Sequence, residues 1–223
     1  MNLNYTLVSF DGNIGSGKST LLQHIKDKYR HDPCYIFLKE PVDEWSLIKD
    51  SENVTILEKF YVDQKKYSFA FQMMAYISRL NLLKNAVKGM DPDKKYVIVT
   101  ERTLNTDRFV FAKMLFETGK MEEVMYQVYL KWFDTFSTEF SVDKVVYIKT
   151  LPEVCRERVA KRSRGGEEII PLEYLQSCDR YHDEMIQNND ESKNLVLDGN
   201  IDIYTNTEQI EKWIHEIIEF INC

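Results

Sequence analysis

The chain has 223 residues, 43% of them hydrophobic, and a formal net charge of −7. That length suits one globular domain spanning 1–223 with a sizeable core, and the acidic balance excludes a nucleic-acid-coating protein, which needs a broad basic surface to replace counterions. Four widely spaced cysteines, Cys34, Cys155, Cys178 and Cys223, form no Cys-x-x-Cys pair, and no signal-like segment or long apolar run is present, so the expectation is a cytoplasmic chain with reduced thiols and no membrane span.

In chain order, the apolar run at 5–10 reads as a first strand leading into Gly12-Asn13-Ile14-Gly15-Ser16-Gly17-Lys18-Ser19. This fits the Gly-x4-Gly-Lys-[Ser/Thr] phosphate-binding loop in the strand, loop and helix context that the motif requires. The glycines let backbone N–H groups curl around a polyphosphate, Lys18 brings a point charge and Ser19 a hydroxyl for Mg²⁺. A helix over 17–29 adds its positive end. Further strands are predicted at 35–38, 96–100, 145–149 and 195–197, and helices at 54–61, 64–88, 107–117, 121–139, 152–162, 171–187 and 207–221, with Pro152 and Pro171 in first turns. Strands alternating with helices imply an α/β fold around a five-stranded parallel sheet.

Ligands of such sheets bind at the carboxyl ends of the strands, and three charged signals fall there. Glu40, biased toward an extended conformation by Pro41, is a candidate base or a solvated loop acid. Glu101 and Arg102 end the third strand beside the phosphate loop, as a working pair or a surface ion pair. Arg156, Arg158, Arg162 and Arg164 precede Gly165-Gly166, as a phosphate-clamping lid at about 162–168 or as a basic helix face balanced by Glu153 and Glu157. On the long helix, Gln72, Ala75 and Arg79 are spaced i, i+3 and i+7 and share one face. The Gln72 amide suits a nucleobase edge, whereas the surrounding aromatic residues are as expected of a core. The residues alone define a nucleotide-dependent enzyme or switch.

Together these motifs resemble the deoxyribonucleoside kinases of the deoxycytidine/deoxyguanosine kinase type, over nearly the full length. The resemblance rests on Gly12 to Thr20, Glu40-Pro41-Val42 with Trp45, the Tyr61 to Gln72 spacing, Gln72 with Arg79, Glu101-Arg102-Thr103, the run from Asp107 through Phe111 to Ala112, the Arg-x-Arg lid, and Ile170-Pro171-Leu172-Glu173-Tyr174-Leu175. It implies a P-loop kinase fold with an arginine-rich lid, and ATP-dependent phosphorylation of a deoxynucleoside 5′-hydroxyl for nucleotide salvage. By that resemblance Glu40 is the general base, Arg102 steadies it, and Lys18, Arg158, Arg162 and Arg164 stabilise the moving phosphoryl group. Ser19 and Glu101 are the Mg²⁺ partners. Tyr61 and Glu167 hold the 3′-hydroxyl, Gln72, Arg79 and Asp107 read the base, and Ala75 leaves it room. Trp45, Phe71 and Phe111 are apolar walls, and Asp202 lies beside the donor's adenine. A homodimer through the long helices is implied. Phe60, Thr103 and Gly165-Gly166 depart from the family pattern. The alternatives are a thymidylate-kinase-like nucleoside monophosphate kinase and a non-catalytic, kinase-like nucleotide-binding subunit.

Overall fold

In the computed structural model, residues 3–162, 167–203 and 206–222 are described. Strand β1, Asn4–Gly12, sits at the centre of the sheet. Its side chains alternate between faces, as the pleat requires: Val8 and Phe10 join one apolar cluster and Leu7 another. Around it lie β2 (Tyr35–Leu38), β3 (Lys95–Glu101), β4 (Lys144–Lys149) and β5 (Asn194–Asp198). All pairings are parallel and the order is β2-β3-β1-β4-β5, the five-stranded sheet expected from the sequence.

Against the Val8 face pack α1 (Lys18–Tyr29) through Leu21, Leu22 and Ile25, and the C-terminal helix Thr207–Asn222 through Trp213, Ile214 and Ile217. The Leu7 face is covered by α4 (Gln64–Lys88) and by the helix Glu123–Phe136, through Tyr76, Leu80, Leu83, Tyr129 and Phe133. Burial of this apolar surface at about 25 cal/mol per Å² is the main force holding both layers. The central strands β1, β3 and β4 are largely buried, which explains why they read as short apolar runs, while the edge strands β2 and β5 are partly exposed.

Three helical segments differ from expectation. Val42–Trp45 forms a short helix, α2, directly after Pro41, where none is expected. The helix expected over 107–117 begins earlier, at α5 (Leu104–Thr106), passes through a π-helical segment at Asp107–Ala112, and ends as α6 (Lys113–Glu117). Widened turns of this kind concentrate at functional sites, and this one starts at Asp107. The helix expected over 121–139 is α7 (Glu123–Phe136), tightening into a 3₁₀ turn at Ser137–Glu139. α3 (Ile56–Val62) is opened by a capping box, in which Thr55 accepts from the Glu58 amide and Glu58 accepts from the Thr55 amide. α8 (Pro152–Arg162) has the expected bounds, whereas in α9 (Leu172–Gln187) Pro171 is the N-cap and not a first-turn residue. The C-terminal helix is α10. Among the described residues no helix is long and apolar enough to cross a membrane.

Candidate active site

The carboxyl ends of β1, β2 and β3 open onto a cavity of about 830 Å³. One end is formed by the phosphate loop. Gly12 has φ +147°, and a Cβ there would lie 2.6 Å from the Ile148 carbonyl; Gly15 has φ +81°, and its Cβ would lie 2.6 Å from the Cys155 carbonyl. Both positions need glycine because of this left-handed backbone and because β4 and α8 pass so close. The Asn13 amide donates to the Leu175 carbonyl (2.8 Å) and its oxygen accepts from the Ile14 amide (2.8 Å), pinning the loop to α9.

Lys18 Nζ donates to the carbonyls of Gly12 (3.0 Å) and Asn13 (2.7 Å) and, at 3.5 Å, to Ser16 Oγ. Burial, aided by the Arg102 charge, lowers its pKa to about 8. An anion arriving in the loop would favour the charged form further. Ser19 Oγ donates to Glu101 Oε1 at 2.8 Å, so the two residues assigned to Mg²⁺ do meet. The side of the cavity toward 199–203 is lined by Gly199, Asn200, Ile201, Ile203 and the exposed Asp202, with Gly17 and Thr20 nearby.

At the end of β3 the chain turns sharply. Arg102 adopts φ +62°, an unfavourable conformation for a residue with a Cβ. Its amide donates to the Phe10 carbonyl (3.1 Å), and Thr100 Oγ1 donates to its carbonyl (2.9 Å). Successive side chains are thereby separated: Glu101 reaches Ser19, while Arg102 Nη1 donates to Glu40 Oε1 at 2.7 Å. The alternative of a Glu101–Arg102 surface ion pair is thus replaced by two distinct contacts. Glu40 is not a solvated loop acid either, since its side chain is only 11% exposed. Burial pushes its pKa up, but Arg102, Arg79 and Lys18 together outweigh this and hold the carboxyl well below the usual range.

Gln72, Ala75 and Arg79 are all buried and all line the cavity. Gln72 Oε1 is buried without a hydrogen-bond partner, an uncompensated acceptor on a residue that lines the cavity and costly to leave unpaired. Arg79 Nε donates to Asp107 Oδ2 (2.9 Å) and Nη2 to Asp107 Oδ1 (3.3 Å). Its Nη1 donates to the Glu101 carbonyl (2.9 Å) and Nη2 also to Glu40 Oε1 (3.2 Å). Most of its five N–H groups are therefore engaged by the protein.

Aromatic rings wall this end. Trp45 meets Phe71 edge-on at 5.4 Å and donates to Ser78 Oγ (2.9 Å), and Phe111 lies under the Arg102 guanidinium at 4.9 Å. Tyr61 packs edge-on against Tyr174 at 6.1 Å. Burial, with the Glu167 charge, pushes the Tyr61 phenol well above its ordinary pKa, so it stays a hydrogen-bond donor.

The arginine cluster divides. Arg158 Nη1 donates to the carbonyls of Ser16 (3.3 Å) and Gly199 (2.8 Å), bridging the phosphate loop to the turn after β5. Arg162 pairs with the buried Glu167, and Arg156 is exposed. Arg164 lies outside the described residues. Phe60, expected beside the sugar tyrosine as a residue that narrows the pocket, lines the cavity, fully buried and stacked on Phe71 at 4.6 Å, whereas sequence reasoning missed Tyr174 as a wall residue. Both lie in motifs already singled out, but helical periodicity cannot tell a core ring from one facing a cavity. It also missed Asp11, which accepts from Ser9 and Thr106 at 2.6 Å each and braces the strand under the loop.

A phosphate loop facing a ring-walled pocket that holds a buried, arginine-clamped carboxylate defines a P-loop phosphotransferase. The chain matches the deoxynucleoside kinase family over residues 8–222, and it belongs to that family. It is similar to deoxycytidine kinase 2 of Gallus gallus, 30% identical with 96% of this chain and 89% of the relative covered. Deoxycytidine kinase 1 of Xenopus laevis is 29% identical, with coverage of 96% and 90%. Mitochondrial thymidine kinase 2 of Homo sapiens is 31% identical, with coverage of 81% and 64%.

Proposed function

We propose that this deoxynucleoside kinase favours deoxycytidine and purine deoxynucleosides, with Glu40 as the base at the reacting oxygen. The chain is an enzyme that uses ATP to phosphorylate the 5′-hydroxyl of a deoxyribonucleoside. The observation that carries the assignment of Glu40 is its placement in the same cavity as Lys18, buried and joined to two guanidiniums.

The loop amides and Lys18 hold the donor's phosphates, and the turn at 199–203, with Asp202, lies on its adenine side. Glu40, ionised at any physiological pH, accepts the hydroxyl proton. A carboxylate held this far down is a weak base, so much of its effect comes from orienting the hydroxyl in line with a largely dissociative transfer. Arg102 steadies Glu40 and the reacting oxygen, while Arg158, Arg162 and Arg164 offset charge on the phosphoryl group. Freeing Arg162 for this role requires opening its pair with Glu167, which then turns to the sugar 3′-hydroxyl beside Tyr61. Ser19 and Glu101 are the residues that would hold Mg²⁺, and their contact suits a hard cation that keeps most of its water. When bound, that ion would offset charge on the donor's phosphates.

Gln72 pairs with the base edge, supported by Arg79 and Asp107 and framed by Trp45, Phe71 and Phe111, with Ala75 leaving room. The relatives named as deoxycytidine kinases support the deoxycytidine part of this reading. Residues 1–223 are read as one domain with a lid at about 162–168. A homodimer through α4 and α7 is supported by exposed Ile77, Val124, Val128 and Trp132, and a cytoplasmic location completes the reading. A phosphate-transfer panel over the four deoxynucleosides, with thymidine monophosphate as a further acceptor, tests the assignment. Transfer to deoxycytidine and the purines is expected. Transfer only to the monophosphate would favour the thymidylate-kinase-like alternative, and ATP binding without transfer would favour a non-catalytic subunit.

A further inference from the structure

We propose that Arg79 is a positioning residue for Glu40, in addition to any contact it makes with the base. The inference rests on the assignment of Glu40 as the base. Arg79 projects from the 25-residue helix α4 and its guanidinium is held on three sides: by Asp107 through two hydrogen bonds, by the Glu101 carbonyl and by Glu40. Arg102 donates to the same Glu40 oxygen, Oε1, from the end of β3. Two rigid donors from different elements thus triangulate one carboxylate oxygen, and among the described residues Oε2 accepts no hydrogen bond and is left for the hydroxyl. The charged and titratable groups around Glu40 are Arg79, Arg102, Lys18, Asp107 and Tyr61.

The test is the pH dependence of kcat and kcat/KM for wild type, Arg79→Gln, Arg79→Lys and Glu40→Gln, with deoxycytidine and with thymidine. Arg79→Gln is expected to lower kcat roughly 10–100-fold, the loss typical of removing a hydrogen bond to a charged group, and by the same factor for both nucleosides. Removing the positive charge raises the Glu40 pKa, so the acid limb of kcat/KM moves to higher pH. Arg79→Lys keeps the charge, leaves the limb near its wild-type position and recovers part of kcat. An Arg79→Gln enzyme altered only in KM and in nucleoside ranking, with kcat and the limb unchanged, would overturn the inference. If Arg79→Gln does not fold, Arg79→Lys decides: an equal kcat loss for both nucleosides supports the link, and a change confined to KM overturns it. Near-normal turnover in Glu40→Gln would instead overturn the base assignment, which separates the two failures.

Discussion

The two ends of the cavity are built on different plans. At the donor end the groups are consecutive: Gly12 to Thr20 supply backbone amides, Lys18 and Ser19 from one turn between β1 and α1. At the acceptor end Glu40, Tyr61, Gln72 with Arg79, Arg102 and Asp107 come from five separate segments of the chain, and Glu40, Arg79, Arg102 and Asp107 are held by buried ion pairs. A triphosphate is the same in every reaction of this kind, so a local cradle suffices. A particular nucleoside needs polar groups at fixed points around a ring, which requires several elements to converge.

The largest effect expected from breaking this arrangement is at the acceptor end. Glu40→Gln should lower turnover at least about 100-fold, the lower range for a positioned base, while nucleoside binding by calorimetry survives; near-normal turnover would remove Glu40 from the base role. At the donor end, kcat/KM for ATP should fall as pH rises through about 8, because the free enzyme binds the phosphates with a charged Lys18. The fall should approach about tenfold per pH unit if one proton is required. A flat profile to pH 9.5 would show that the lysine keeps its proton in the free enzyme.

A smaller effect should follow from changing Arg79 and Asp107 together to neutral residues. Beyond a general loss of kcat, the deoxycytidine-to-thymidine ratio of kcat/KM should shift toward thymidine by about tenfold, the range for misplaced polar partners. An unchanged ranking would count against the base-pocket assignment. Thr55→Ala should have the mildest consequence: loss of the α3 cap costs about 1 kcal/mol of stability, visible as a lower Tm. Because α3 carries Phe60 and Tyr61, a modest rise in the nucleoside KM with an unchanged KM for ATP would separate the two ends of the cavity. Equal rises in both would show that they are mechanically one unit.

What was legible in advance follows the same division. The phosphate loop, α4 and α8 were all readable in the chain, because each rests on neighbours a few residues apart. The π-helical segment at Asp107–Ala112 was not, since local propensity favours an ordinary helix there and only packing against α4 and α9 rewards the widened turn. Arg158 belongs to a recognisable basic cluster, yet its bonds to the Ser16 and Gly199 carbonyls depend on two loops remote in sequence. Phe60 reads from the family pattern as a residue that narrows the pocket, but the ring it packs on, Phe71, is set by the tertiary structure.

The sequence by itself determined the sheet, the donor cradle and, through its motifs, the family, because periodicity and short spacings are written along the chain. Only the tertiary structure decided which charges became partners. Glu40 pairs with Arg102 and Arg79 and not with its neighbour Lys39, and Glu101 turns to Ser19 and not to Arg102. The physical reason is desolvation: a buried charge must find an opposite charge or a donor within reach, and in a parallel sheet the groups within reach come from strand ends far apart in the sequence.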